Sequence, residues 1–266
     1  MKYVIDHDIH LHSQLSTCSS DPEQNTRNIL QRAECDALSY ICLTDHFWDS
    51  DVPGASDWFK PQNYDHLKEA LPLPQSEKTK FFFGCETDLD KDMTLGISRK
   101  RMDDFDLIII PTTHLHMPAN IAEEDRTIEG RARRYVERLD GVLNMDLPFH
   151  KIGIAHLTVK LIAPDSFEDH MKVLDLISDE TFGRLFCRCA EKGAGIELNF
   201  RLSDYTDEQK PGILRPYRIA RACGCKFYFG TDAHHPGDFT DRMQRFTEIR
   251  DALELEEADK FISWLK

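Results

Sequence analysis

Eight side chains of this sequence are of the types that bind divalent metal ions, and each follows a short apolar run: His10, His12, His46, Glu86, His114, His156, Asp232 and His234. Imidazole and carboxylate ligands together suit zinc, manganese and iron. In the His10-x-His12 pair, the alternation of an extended strand places both rings on the same side, so two nitrogens can face one ion. A carboxylate such as Glu86 can also bridge two ions. We therefore expect two or three divalent ions, with Zn, Mn and Fe as the candidates.

Metal ions that lie a few ångströms apart lower the pKa of a shared water and stabilise both the attacking and the leaving oxygen of a displacement. Such a site serves the hydrolysis of phosphate esters or of amides. Asp45, Asp232 and His234 are the candidate catalytic residues. The leaving group would take its proton from water or from a residue such as Asp45 or His234.

A single histidine after a strand is more often structural than a ligand, so the prediction rests on the joint pattern. Further polar residues share the strand ends: Asp88, His116, Glu197, Asn199 and His235. Of these, His116 and His235 directly follow expected ligands and are candidates for supporting them. We assign no role to His66, His150 and His170, which fall in expected loops or helices.

Seven short apolar runs are the candidates for the strands that position these residues: 3–6, 39–44, 80–85, 106–112, 151–156, 194–200 and 226–232. They are rich in β-branched and aromatic residues without clean alternation, which is typical of strands buried on both faces of a parallel sheet. Helical patterns lie between or after them: 25–36, 125–139, 166–177, 180–192, 213–223 and a terminal helix over 247–266. The long segment 47–78 is either a loop at the rim of the active site or a decorated crossover.

Strands that alternate with helices favour an α/β barrel over an open sheet. The length of 266 residues fits one domain over 1–266. In such a barrel the carboxyl ends of the strands converge on one face, where active sites lie. Residues more than two hundred positions apart would therefore meet there.

The net charge of −14 argues against a nucleic-acid-binding protein, which would usually present a basic face. It is compatible with a small phosphorylated substrate, because bound cations can reverse the field of an acidic pocket.

The sequence shows no signal peptide and no apolar run of about 18 residues, so we expect a cytoplasmic protein that does not enter a membrane. The eight cysteines are scattered, which favours reduced thiols, and the pairs Cys187/Cys189 and Cys223/Cys225 do not have the usual zinc-site spacing.

The motifs of the strand ends resemble those of the PHP family, named for polymerase and histidinol phosphatase. The matching segments run in family order: D-I-H-L-H-S (8–13), L-T-D-H (43–46), G-C-E-T-D (84–88), T-T-H (112–114), I-A-H (154–156), I-E-L-N (196–199) and G-T-D-A-H (230–234). The resemblance implies a distorted (β/α)7 barrel, similar to a TIM barrel, with a trinuclear metal site. It implies three ligand sets: His10, His12, Glu86 and Asp232; Glu86, His114 and His156; and His46 with His234.

The sequence departs from the family pattern after the His-x-His pair, where many members carry another His or Asp. Cys18 stands near that position and could bind zinc as a thiolate, or Asp21 could take its place. The number of ions, two or three, depends on this segment. For a substrate phosphate, Arg201 and Arg215 are the candidate binding residues, because a guanidinium group fits phosphate oxygens in a bidentate manner.

Members of the family that have this length and stand alone are similar to histidinol-phosphate phosphatases and related small-molecule phosphoesterases. The resemblance therefore implies hydrolysis of a phosphate monoester of a small metabolite, with a metal-bound hydroxide as nucleophile. The Cys-Gly-His stretch usual in histidinol phosphatases is missing, which leaves the substrate open. The alternatives are a C–N hydrolase of the amidohydrolase type, a nuclease, and a metal-binding domain without activity. The oligomeric state is not predicted.

Overall fold

The computed structural model describes residues 1–265 and has an α/β fold in which the paired strands are parallel. The strands are β1 (His7–Leu11), β2 (Tyr40–Leu43), β3 (His46–Phe47), β4 (Lys80–Phe83), β5 (Cys85–Thr87), β6 (Ile108–Pro111), β7 (Ile152–Ala155), β8 (Gly195–Leu198) and β9 (Lys226–Phe229). The helices are α1 (Thr26–Cys35), α2 (Tyr64–Leu67), α3 (Ile128–Asn144), α4 (Phe167–Asp175), α5 (Asp179–Lys192), α6 (Lys210–Ala222) and α7 (Arg242–Ala252). This confirms the α/β class with parallel, buried strands.

The strands form two sheets, in the orders β1-β2-β4 and β3-β5-β6-β7-β8-β9. Two residues separate β2 from β3, and Gly84 alone separates β4 from β5. A Cβ atom on Gly84 would lie 2.6 Å from the Leu107 carbonyl oxygen and 2.8 Å from Cys42 Sγ, so the interruption at this point requires glycine. The predicted third strand is therefore divided between the two sheets, and the predicted second strand is followed by the separate short β3 in the other sheet.

The chain after β9 lies against β1. The Asp232 amide donates to the His10 carbonyl at 2.8 Å, and the His12 amide donates to the Ala233 carbonyl at 3.0 Å. The hydrogen bonds of residues 1–265 nevertheless assign the strands to two sheets and not to one closed sheet. The ends of the first and last strands are thereby adjacent, as the location of the predicted ligands requires.

Helix α5 shows how the helices form and pack. The Ser178 side chain accepts a hydrogen bond from the Thr181 amide at the amino end, and Gly193 ends the helix with a left-handed φ of 83°. One face is buried, with Phe182, Leu185, Phe186 and Cys189 at helical spacing. These apolar side chains belong to the main core, which lies between the helices and the strands.

Two predictions of secondary structure were wrong. The first strand begins at His7 and not at residue 3, because the backbone amides before it bond outside the sheet: Tyr3 donates to the Leu255 carbonyl and Val4 to the Glu257 carboxylate. The predicted helix over 247–266 ends at Ala252, where the chain turns through Glu254 with a positive φ of 52°. Beyond it lie the short 3-10 helices Glu257–Asp259 and Ser263–Leu265. The buried apolar side chains of this segment, in and around these helices, lack regular helical spacing: Leu255, Phe261 and Trp264. No helix in residues 1–265 is long and apolar enough to cross a membrane.

Candidate metal centre

The predicted ligands meet where the strands end. His10 lies in β1 and His12 directly follows it, while Glu86 lies in the short strand β5. His156 follows β7, and Asp232 lies shortly after β9; both have left-handed backbones, with φ of 64° and 54°. Such conformations are uncommon for residues other than glycine and occur preferentially at functional sites.

Four groups of side chains place their donor atoms within 4.8 Å of one another: His10, His12, Glu86 and Asp232; Glu86, His114 and His156; His12, His46 and His234; and His10, His156 and Glu197. The first two groups have the same members as two sets that the resemblance implies. The third adds His12 to the predicted pair His46 and His234. We call the eight predicted ligands other than Cys18 the histidine–carboxylate cluster.

The environment of Glu86 shows that cations fit this cluster. Its buried Oε2 atom has no hydrogen-bond partner in residues 1–265, although His46 Nδ1 lies only 2.8 Å away. The same oxygen is 3.4 Å from His12 Nε2 and 3.5 Å from His10 Nε2. A buried carboxylate oxygen without a hydrogen bond is costly unless a positive charge compensates it. Imidazole nitrogens and carboxylate oxygens directed at a common space are the donor set that Zn, Mn and Fe accept.

The charges of the cluster are strongly coupled. Burial lowers the pKa of His10, but the carboxylates of Glu197, Glu86 and Asp232 outweigh it and raise that pKa well above its ordinary value. Burial, followed by the nearby rings of His234 and His46, holds the pKa of His12 well below its ordinary value.

His46 and Glu86 shift in opposite directions. Burial opposes the charged form of His46, yet the Glu86 carboxylate and the Cys18 thiol raise the pKa of His46 to about 9. Burial would raise the pKa of Glu86, but His46 and His10 lower it well below its ordinary value. Without a metal ion, therefore, protons on imidazoles compensate the carboxylates, and cations would compete for the same positions.

Glu197 and Asn199 at the end of β8 support two of the imidazoles. One oxygen of the fully buried Glu197 contacts Nδ1 of His10, and the other accepts a hydrogen bond from the His156 amide at 3.0 Å. Asn199 Nδ2 lies 2.7 Å from His156 Nδ1. These contacts fix the rings with their Nε2 atoms toward the cluster.

Asp88 supports His114 and is itself held by Arg138. The Asp88 carboxylate lies 3.0 Å from His114 Nδ1 through one oxygen and accepts from Arg138 at 2.8 Å through the other. Arg138 is fully buried and also donates to the carbonyl groups of Thr112 and Leu89. A buried chain of three side chains thus connects helix α3 to the cluster.

Asp45, predicted as a catalytic residue, lies behind the cluster. Its buried carboxylate accepts hydrogen bonds at 2.7 Å from the Ser13 amide, the Ser13 hydroxyl and the Ser16 hydroxyl. Ser16 Oγ in turn lies 3.0 Å from His12 Nδ1. This environment suits a carboxylate that orients His12 through Ser16.

The segment that departs from the family pattern lies beside His46. The Cys18 thiol is exposed and contacts His46, but it belongs to none of the four donor groups. Asp21 instead pairs with His235 at 2.9 Å. The half-buried Trp58 packs edge-on against the His46 ring, with centroids 4.9 Å apart. Part of the segment 47–78 therefore forms the rim of the cluster, which was one of its two predicted roles.

The two predicted phosphate-binding arginines have different surroundings. Arg201 follows β8, is about one-third exposed and pairs with Asp241 at 2.6 Å. Arg215, in α6, pairs with Asp179 at 3.0 Å and donates to the carbonyls of Leu174 and Ile177, none of which belongs to the cluster. The structure therefore does not bring Arg215 to the cluster.

Of the supporting histidine candidates, His116 packs against the His114 ring with centroids 5.3 Å apart. Burial, and then the neighbouring His114, lower the pKa of His116 to about 4.

Arg138 was not predicted from the sequence, because an arginine within an amphipathic helix carries no signal that distinguishes it from surface arginines. Glu197 and Asp88 were visible as polar residues at strand ends, but their partners were not.

No model of a known protein family matches the chain, and no curated protein matches it by sequence. Among solved structures, it is similar to the histidinol phosphate phosphatase of Lactococcus lactis subsp. lactis, which was solved with zinc, L-histidinol and phosphate. The TM-score is 0.57 and the identity 20%, over 97% of each chain. An ochratoxinase from A. niger aligns with 96% of this chain and 68% of its own at 9% identity, with a TM-score of only 0.42. The first comparison shows a common fold.

Proposed function

We propose that this chain is a metal-dependent phosphoesterase that hydrolyses a phosphate monoester of a small metabolite. The observation that carries the proposal is the convergence of the histidine–carboxylate cluster on Glu86, whose buried Oε2 has no hydrogen-bond partner among the described residues. The fold shared with a phosphatase that binds zinc, histidinol and phosphate supports the same reading.

In this proposal, Glu86 would be shared by two ions. His10, His12 and Asp232 would hold the first with it, and His114 and His156 would hold the second. His46 and His234 would hold a third, with His12 as the further donor of that group and Cys18 beside His46. When bound, such ions supply positive charge that stabilises the negative oxygens of a phosphate ester and lowers the pKa of water.

The residues around the ions have separate tasks. Glu197, Asn199 and Asp88 hold the imidazoles in fixed orientations, a role that typically affects metal affinity or activity by about 10–100-fold. His234 is partly exposed, and its Nδ1 lies 2.8 Å from the Asp232 carbonyl. Its Nε2 would therefore either hold the third ion or, where that position is empty, donate a proton to a leaving group. In the proposal Asp45 orients His12 and does not transfer a proton.

Arg201 is the remaining arginine candidate for a substrate phosphate, since it is partly exposed beyond the end of β8. Its pairing with Asp241 means that a phosphate would have to compete with a carboxylate for the guanidinium group. The ions, and not arginines, would then provide most of the positive charge that an acidic protein needs to bind phosphate.

We further propose that the strands form a distorted (β/α)7 barrel within a single domain over 1–266. In this interpretation β2 continues into β3 and β4 into β5. The hydrogen bonds of Asp232 and His12 across the ends of β9 and β1 support closure at that seam.

The test begins with protein freed of metal by a chelator and then supplied with Zn, Mn or Fe(II). Phosphate monoesters, including histidinol phosphate, are assayed beside amides, lactams and single-stranded DNA. We expect turnover of phosphate monoesters only, and only with metal added. Turnover of amides or lactams alone would favour the C–N hydrolase instead, and less than one tightly bound ion per chain would favour a domain without activity.

Variants test the bridging role of Glu86. Glu86→Ala should remove more bound metal per chain and more activity than His46→Ala, because it belongs to two donor groups. His150→Ala, at an exposed position, is the matched histidine control and should change neither quantity. Equal losses in Glu86→Ala and His46→Ala would show that Glu86 does not bridge. Loss of one ion in Cys18→Ser would show that this thiol is a ligand.

A further inference from the structure

The two Cys-x-Cys motifs, separated by more than thirty residues in sequence, lie together at the packing interface of α5 and α6. Cys187 and Cys189 are in the last two turns of α5, and Cys223 and Cys225 lie between α6 and β9. Neither motif takes part in the histidine–carboxylate cluster.

Two contacts show how the motifs pair. Cys223 Sγ lies 3.5 Å from the carbonyl oxygen of Gly183, and Cys225 Sγ lies 3.1 Å from that of Phe186. Side chains of an α-helix point back toward its amino end, so the Cys187 side chain covers the turn at Gly183. By the same geometry, Cys189 leans toward Phe186. Cys223 therefore faces Cys187, and Cys225 faces Cys189.

The mutual influence of the thiols agrees with this pairing. Burial, followed by the adjacent Cys187 thiol, raises the pKa of Cys223 to about 12. The Cys189 thiol, followed by burial, raises the pKa of Cys225 well above its ordinary value.

The two pairs differ in their access to solvent. Cys187 is exposed and Cys223 is partly buried, whereas Cys189 and Cys225 are 0% and 1% exposed. A Cβ atom on Gly183, whose carbonyl contacts Cys223, would meet no side chain from elsewhere in residues 1–265 within 4 Å, so the space beside this turn of α5 is open. An oxidant in solution can therefore reach the outer pair, while the fold protects the inner one.

We propose that Cys187 and Cys223 are a thiol modification site that a small disulfide such as oxidised glutathione converts into an intramolecular disulfide. The exposed Cys187 sulfur attacks the disulfide, forms a mixed disulfide and releases one glutathione thiol. Cys223 then loses its proton, attacks the Cys187 sulfur and releases the second, a step that becomes faster as the pH rises because its pKa is raised. The two thiol hydrogens of the protein pass to the two reduced glutathione molecules. The cross-link ties α5 to the segment that leads into β9.

The test exposes reduced full-length protein to oxidised glutathione, blocks the remaining thiols with an alkylating agent and maps disulfides by mass spectrometry without reduction. We expect a peptide pair joined through Cys187 and Cys223, glutathione itself only on other exposed thiols such as Cys18 and Cys35, and full reversal by dithiothreitol. Closing the loop between the two residues should also raise the Tm by several degrees.

Variants separate the steps. Cys223→Ser should accumulate glutathione on Cys187, because the second attack is removed, and Cys187→Ser should form no cross-link. Cys35→Ser, at an exposed position of α1, is the matched control and should behave as the wild type. A stable mixed disulfide at Cys187 in the wild type, a link between Cys187 and Cys189, or equal reactivity of the inner pair would each overturn the proposal.

Discussion

Replacing Arg138 by methionine should destabilise the protein far more than any exposed arginine replacement on the same helix. Arg138 is fully buried and donates to the Asp88 carboxylate at 2.8 Å and to the carbonyls of Leu89, Thr112 and Asn120 at 2.9 to 3.3 Å. Methionine fills much of the volume but provides neither the charge nor the donors. Asp88 would then remain buried without its cation, beside His114.

The loss of one partner from a buried ion pair typically costs about 3–5 kcal/mol of unfolding free energy. We expect a value in that range for Arg138→Met. Arg133→Met is the matched control, since Arg133 is also in α3 but has a side chain that is 55% exposed and pairs with Asp125. Exposed pairs contribute about 0–1 kcal/mol. The expected difference between the two variants is therefore several kcal/mol.

The assay is urea denaturation of chelator-treated protein, followed by circular dichroism at constant ionic strength and pH. A separate zinc titration measures metal affinity, which should fall by about 10–100-fold in Arg138→Met because Asp88 no longer orients His114. The double variant Asp88→Asn/Arg138→Met should recover part of the stability, since it leaves no unpaired charge. If Arg138→Met unfolds within about 1 kcal/mol of Arg133→Met, the buried pair does not have the assigned role.

Three further predictions concern pH, proton release and orientation. Burial, and then Lys160, lower the pKa of the fully buried His170 to about 4, so the unfolded chain binds a proton that the folded one does not between pH 6.5 and 4. The free energy of unfolding should fall with decreasing pH through this window, by up to about 3 kcal/mol in total. His170→Leu should reduce this fall, and an unchanged pH dependence in urea denaturation would exclude the histidine as its source. His46 has a pKa of about 9, so in metal-free protein its pairing with Glu86 stabilises the fold fully below pH 6.5 and loses effect as the pH rises through 9. Because a ligating imidazole must be neutral, zinc addition at pH 7.5 should release protons, which a pH-stat measures. His46→Ala should release about one proton fewer, and equal release would mean that zinc displaces no proton from His46. Ser16→Ala interrupts the contact between Asp45 and His12, and we expect about a 10-fold weaker metal affinity in calorimetry; the same loss in Ser20→Ala, at a neighbouring exposed position, would show an unspecific effect of the loop.

The convergence of the ligand types at the strand ends was predictable from the sequence, because it depends on local information. Each apolar run shows where a buried strand ends, and parallel strands bring their carboxyl ends to one face. His10 and His114 could be placed on that face without knowing the packing. The same logic identified Glu86, since an acidic residue after a buried aromatic run is unlike the rest of its segment.

The supporting contacts were not predictable, because they depend on side-chain directions across elements far apart in sequence. The contact of Glu197 with His10 spans 187 residues, and that of Arg138 with Asp88 spans 50. The interruption at Gly84 also depends on the neighbouring Leu107 carbonyl, which no local pattern reveals. The end of α7 was misplaced because the acidic segment after Ala252 has strong helix formers, while burial of Leu255 and Phe261 outweighs that propensity.

The backbone of the cluster gives a physical reason to connect metal binding with folding. His156 and Asp232 hold left-handed conformations that typically cost about 1–3 kcal/mol each. The amide of His156 is fixed by Glu197 and that of Asp232 by the His10 carbonyl, so the strain and the ligand orientation depend on the same hydrogen bonds. Without cations, the buried carboxylates of the cluster are compensated by protonated imidazoles, whereas cations at 100 times their Kd would stabilise the folded state by about 2.7 kcal/mol for each site. If the proposed function holds, the strain at these two residues is a cost of the metal-free fold that ion binding would offset.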